Sequence, residues 1–234
     1  MGSFPKPVSL TDVLDLHDKG RIWAFDLNPV QRKNQYKITM AEAQELLRLL
    51  LRDNPVRRPP LPVPAPYVPS LRESIRVEIA HNQKERVKYE GWLNAWFMRA
   101  FSRGMLRDLL GDYREFLNLV PTAYNKVMDI FLTHVTDVEG LEILYKYTCI
   151  ELKADRAAER DLTQALRYED LLARRLAAGE KEMIQTVLVA KAFSTEVVDY
   201  VKNRRRIEER TVRLIRYSTT DDDVGIRLEE IQST

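Results

Sequence analysis

The stretch that most constrains this chain is a succession of strand and helix signals between residues 127 and 190. Val127-Met128-Asp129-Ile130-Phe131-Leu132 is rich in β-branched and aromatic residues, the composition of a strand. A polar turn, Asp137-Val138-Glu139-Gly140, separates it from a second such run, Leu141 to Leu152, and the two read as a β-hairpin. A helical stretch follows from Arg156 to about Ala178, closed by Gly179. Met183 to Ala190 is then almost continuously apolar, which predicts a buried central strand. A helix between two strands allows a parallel crossover, so the chain reads as α/β.

Charged residues interrupt these strands. Side chains alternate between the faces of a strand, so Glu151 and Lys153 point to one side and Leu152 to the other. Beside Cys149 and Ile150, such charges cost stability if unpaired. A divalent cation held by Asp129 and Glu151 is one candidate partner, because hard cations take oxygen ligands, usually one or two carboxylates with waters and substrate phosphates. Lys153 would stand beside that metal, where an ammonium can orient a water or meet developing negative charge on a phosphate. On the following helix Gln164 and Tyr168 are four apart and share a face, with Arg160 and Arg167 near it. Donors facing such a site suit a phosphate backbone. The plainer alternative is that Gln164 and Tyr168 simply cap the sheet.

Asp129, then Glu151-Leu152-Lys153, then Gln164-x-x-x-Tyr168 resembles the PD-(D/E)XK nuclease superfamily, in particular its RecB-like branch with the QxxxY motif. The resemblance covers roughly residues 85–216. It departs from the family pattern at Met128, where the naming motif has proline, and the connection from Asp129 to Glu151 is long. It implies a restriction-endonuclease-like mixed central sheet flanked by helices, and a Mg²⁺- or Mn²⁺-dependent phosphodiesterase acting on nucleic acid, DNA before RNA. Carried over by residue, Asp129, Glu151 and the Leu152 carbonyl would ligate the metal, Lys153 would assist catalysis, and Gln164 and Tyr168 would line the site. Glu90, in Glu90-x-x-Leu93-x-x-x-Phe97, resembles the first-helix glutamate that often approaches the metal, although a solvated helix glutamate is commoner; Glu85 is the weaker candidate. A single cysteine, Cys149, excludes the four-cysteine iron–sulfur site of some nucleases of this branch, and any disulfide within the chain.

The remaining sequence places this unit within 234 residues. Residues 1–53 read as a helical N-terminal module, with one short helix from Ser9 and a second from Thr39, whose capping box uses Glu42. Arg48 and Arg52 could mark a recognition helix, but packing or dimerisation suits it better, so a homodimer is among the expected partners. Residues 54–70 contain seven prolines and read as a semi-rigid extended spacer, with a PxxP ligand as the sharper alternative. The nuclease-like domain is expected over 71–217, and 218–234, with Asp221-Asp222-Asp223, reads as an acidic tail. Within 71–103 the stripe Tyr89, Leu93, Trp96, Phe97, Ala100 and Phe101 reads as helical core. Glu115–Val120 and Thr211–Tyr217 read as strands. Ser194 caps a helix ending in the basic run Lys202–Arg206, which complements the helix dipole or contacts phosphates.

The net charge of +2 excludes a globally basic coat, so a phosphate-binding surface must be a local patch. His17, His81 and His134 are scattered without zinc spacing, and His134 reads as an exposed strand-end residue. No phosphate-binding glycine loop and no GxSxG occur. The expected location is cytoplasmic, with no membrane association, because no signal-peptide pattern or long apolar run is present. A metal-dependent nuclease is the first reading. A nuclease fold used for DNA binding or assembly without significant cleavage is the second.

Overall fold

A computed structural model describes Phe4 and residues 6–23, 38–54, 90–122, 126–220 and 225–231. The chain divides into two compact units, Met1–Arg76 and Val77–Thr234. The spacer 55–70, residues 71–89 with Glu85 and His81, and the aspartate triplet lie outside the described residues. Among the described residues no helix is long and apolar enough to cross a membrane.

The first unit contains helices α1 (Leu10–Asp18) and α2 (Met40–Asp53). Ser9 caps α1, accepting from the Thr11 N–H at 3.2 Å. The capping box of α2 is formed: Thr39 Oγ1 accepts from the Glu42 N–H at 3.2 Å, and Glu42 Oε2 accepts from the Thr39 N–H at 2.7 Å. The Glu42 side chain also accepts from the Trp23 N–H at 2.6 Å, so a fully buried polar group is met by main-chain donors. Arg48 pairs with Glu45, and Arg52 with Asp12 and Asp53. Both arginines are therefore engaged within this module.

The second unit runs α3 (Glu90–Ser102), α4 (Arg107–Leu110), β1 (Glu115–Pro121), β2 (Val127–Val138), β3 (Leu141–Leu152), β4 (Arg156–Ala157), α5 (Glu159–Leu176), β5 (Ile184–Ala190), β6 (Ala192–Phe193), α6 (Thr195–Glu208), β7 (Val212–Thr219) and β8 (Ile226–Glu230). Six strands form one mixed sheet in the order β1-β2-β3-β5-β7-β8. β3, β5 and β7 are parallel; the outer neighbours are antiparallel. The mixed α/β class and the flanking helices are as expected.

Burial explains the strand sequences. Leu93, Trp96, Phe97, Ala100 and Phe101 of α3 pack on the sheet face made by Ile130, Leu132, Ile150, Leu152, Val187 and Val189. Leu188 and Ala190 point the other way, into a cluster with Leu162 of α5 and Val197 and Val201 of α6. β5 is thus covered on both faces, which is why its run is continuously apolar. On β3, alternation sends Ile150 and Leu152 to the α3 side and Glu151 to the α5 side.

Several boundaries differ from the sequence reading. The hairpin turn is only Glu139-Gly140, both at positive φ (53° and 83°), with the Gly140 N–H donating to Asp137 Oδ1 at 2.9 Å. β2 therefore extends to Val138. Arg156 and Ala157 do not begin the helix; they pair with Ala192 and Phe193 as a separate two-stranded ladder. α6 continues through the basic run to Glu208. Residues 226–230, assigned by composition to an acidic tail, form an antiparallel edge strand on β7, with Ile226 buried in the core.

Candidate active site

The antiparallel register brings two carboxylates together. Ile130 lies opposite Ile150, so one step further along the ladder Asp129 faces Glu151. Asp129 Oδ2 accepts from the Leu152 N–H at 2.8 Å. The side chain of Asn94 on α3 donates to the Asp129 carbonyl at 3.1 Å, and Asn118 on β1 donates to Asn94 Oδ1 at 3.2 Å, which fixes the strand from the other face. Lys153 Nζ donates to Glu151 Oε1 at 2.8 Å and to the Leu152 carbonyl at 2.9 Å. From α5, Gln164 Nε2 donates to Glu151 Oε1 at 3.0 Å and to the Tyr168 hydroxyl at 2.7 Å. That hydroxyl donates to the Val127 carbonyl at 2.9 Å. Asp129, Glu151, Lys153, Gln164 and Tyr168 are thus one connected cluster at the strand ends.

Glu90 reaches its edge. Its Oε2 lies 3.6 Å from Lys153 Nζ, and its side chain is 48% exposed. Among the described residues no three His, Cys, Asp or Glu side chains are grouped to hold a metal ion. The hydrogen bonds above gather the oxygens of Asp129, Glu151 and the Leu152 carbonyl, with Glu90 at the edge of that group.

Glu151 is the anomalous member. It is 2% exposed, and its Oε2 is buried without a hydrogen-bond partner. Burial, then the Asp129 charge, push its carboxyl up to about 7 despite the Lys153 ammonium. Burial also raises Asp129, opposed by the Leu152 N–H and Lys153. Burial alone would lower Lys153, but Glu151, Glu90 and Asp129 outweigh it and raise the ammonium above its ordinary value. Burial and then Glu151 raise Tyr168, which stays a neutral donor. A buried carboxylate oxygen without a donor, beside a second carboxylate and a carbonyl, fits a hard divalent cation, whose remaining positions are filled by water or phosphate.

The cluster opens on a cleft of about 400 Å³ lined by Glu90, Lys126, Lys153, Arg160, Asp161, Thr163, Gln164, Arg167 and Tyr168. Four of these are cations and two, Glu90 and Asp161, are acids, so the lining carries a small excess of positive charge. Arg160 and Arg167, seven residues apart on α5, sit about 10 Å apart along its axis.

Other assignments change. His134 is fully buried, not exposed; Nδ1 donates to the Asp112 carbonyl and Nε2 accepts from Thr148 Oγ1, both at 2.7 Å. Burial holds its ring down to about 4, so it is a neutral structural group. Arg204, within the basic run, is buried and ion-paired with Glu169 at 2.7 Å rather than presented to solvent. Sequence reasoning missed Asn94 and Lys126. Asn94 carried a readable signal, a polar residue inside the apolar stripe of α3. Lys126 carried none.

No family model and no curated protein matches the chain. Two solved structures resemble it: a repair endonuclease from Pyrococcus abyssi, 17% identical over 45% of this chain and 42% of that one with a TM-score of 0.31, and the EndoMS-dsDNA2 complex, 17% identical over 42% and 37% with a TM-score of 0.26. The chain spans less than half the length of either, and superpositions of this extent carry no functional weight.

Proposed function

We propose that the second unit is a metal-dependent nuclease that hydrolyses phosphodiester bonds of nucleic acid, DNA before RNA, as in the RecB-like QxxxY branch. The observation that carries this reading is Glu151: a nearly fully buried carboxylate with one unpartnered oxygen, held beside Asp129 and bonded to Lys153 and Gln164, which line the cleft in front of it. A structural carboxylate at that depth would have its oxygens satisfied. Asp129, Glu151 and the Leu152 carbonyl would hold Mg²⁺ or Mn²⁺, with Glu90 beyond them at the cleft edge. Such an ion, when bound, supplies Lewis acidity at the phosphoryl oxygen and lowers the pKa of water.

The chain's own residues supply the rest. Arg160, Arg167 and Lys126 attract and seat the phosphate backbone. Gln164 orients Glu151 through Oε1, and Tyr168 locks Gln164 and the start of β2. Lys153, kept protonated by its carboxylate neighbours, donates to the phosphoryl group as charge builds. The test is supercoiled plasmid incubated with Mg²⁺, Mn²⁺ or EDTA, comparing wild type with Asp129→Ala and Lys153→Ala. Metal-dependent nicking lost in both variants is expected. Identical traces, with DNA still retarded on a gel, would replace the enzyme by a DNA-binding protein.

A further inference from the structure

The Lys153 ammonium sits on the Leu152 carbonyl, which the proposed cation needs, and on Glu151 Oε1, beside the oxygen left open for that ion. It donates to Glu151 Oε1 and to the Leu152 carbonyl, at 2.8 and 2.9 Å. At that range an ammonium and a divalent cation repel one another and contend for the Leu152 carbonyl. One oxygen is provided for in either case: Gln164 Nε2 donates to Glu151 Oε1 at 3.0 Å, so that atom keeps a donor when the lysine leaves. A destination is also present. Glu90 Oε2, on the cleft wall, already lies within 3.6 Å of Nζ, a short step for a flexible four-carbon stem.

Resting on the metal-binding reading above, we infer that Lys153 is a built-in counter-ion that trades places with the divalent cation. Before the ion arrives, Lys153 neutralises Glu151 and covers the Leu152 carbonyl. As the ion binds, the ammonium moves to the Glu90 carboxylate at the cleft wall. Two consequences follow physically. The paired carboxylates Asp129 and Glu151 are never left uncompensated in a buried setting. The ammonium is delivered to the substrate side only when the ion is in place, which couples metal loading to the presentation of the phosphate-binding group. Glu90 acts in this exchange as the receiving carboxylate, a positioning residue and not a ligand.

The exchange is visible without turnover. Full-length protein carrying ¹³C,¹⁵N-labelled lysine and glutamate is titrated with Mg²⁺ alone, following the Lys153 side-chain Nζ and Cε signals and the Glu151 carboxyl carbon by NMR. The expected result is that both residues shift along one saturation curve. A Glu151 signal that saturates while Lys153 stays put overturns the exchange and leaves the metal site standing. If neither moves, the metal reading fails and the exchange with it. In Glu90→Gln the Mg²⁺-saturated Lys153 signal should differ from wild type; identical signals would overturn Glu90 as the destination.

Discussion

Two buried glutamates separate the candidate chemistry of this molecule from its scaffolding. Glu151 and Glu169 are each 2% exposed. Glu169, on α5, accepts from Thr186 Oγ1 at 2.8 Å, from Arg204 Nη1 and Nη2 at 3.1 and 2.7 Å, and from Arg210. Burial alone would raise it, but those arginines and Thr186 hold its carboxyl below the usual range. Glu151 receives one lysine and one glutamine on a single oxygen, none on the other, and is pushed up to about 7. Equal burial with opposite shifts means that depth alone does not set the character of either carboxylate. What matters is whether its lone pairs are spent on fixed donors or left for a ligand.

The largest expected effect is on cleavage. Asp129→Ala or Glu151→Ala should lower Mn²⁺-dependent plasmid nicking by about 10³-fold or more, whereas folded Glu169→Ala should nick within a few-fold of wild type. A Glu169 variant that folds but does not cut would break the contrast. Stability should reverse the ranking. Glu169→Ala leaves the buried Arg204, and Arg210, with only the half-exposed Glu208 as a carboxylate partner, so urea denaturation should report a loss of about 3 kcal/mol, the cost of removing one partner from a buried pair.

The pH dependence has opposite signs at the two sites. The folded-state value of Glu151 is raised from 4.5 to about 7, so its contribution is fully present below pH 4.5 and is lost as pH rises through 7. At about 1.4 kcal/mol per tenfold change in proton affinity, wild type in EDTA should lose about 3 kcal/mol across that window. Glu151→Gln should lack that decline in urea titrations. Glu169, with its value lowered, contributes stability above the ordinary carboxylate range and loses it as pH falls. The smallest effect is Tyr168→Phe, which removes the hydroxyl joining Gln164 to the Val127 carbonyl. It should cost about 1 kcal/mol in thermal or urea unfolding.

Much of the fold was readable because its signals are local. The β3 limits, Leu141–Leu152, and the capped starts of α2 and α6 follow from short periodicities and single capping residues. The proximity of Asp129, Glu151, Lys153, Gln164 and Tyr168 was not local; it was expected from the resemblance of their spacing to a nuclease pattern, and a hairpin and a crossover helix supply it. The Glu169–Arg204 pair was not expected, since no motif links its members and a basic helix end has a simpler reading. β8 was hidden by composition. Its five residues are mostly charged, and only Ile226 and Leu228 face the core.

That last strand bears on how the protein is handled at its C-terminus. Leu228 pairs with Tyr217, whose hydroxyl donates to the carbonyl of Ala154, the residue after Lys153. Clipping the chain after Thr219 would strip the border from β7, leaving a bare row of amides and carbonyls ready to recruit another molecule. It would also slacken the tether behind the lysine, so a shortened or C-terminally fused preparation that clumps and works poorly would be showing one lesion, not two.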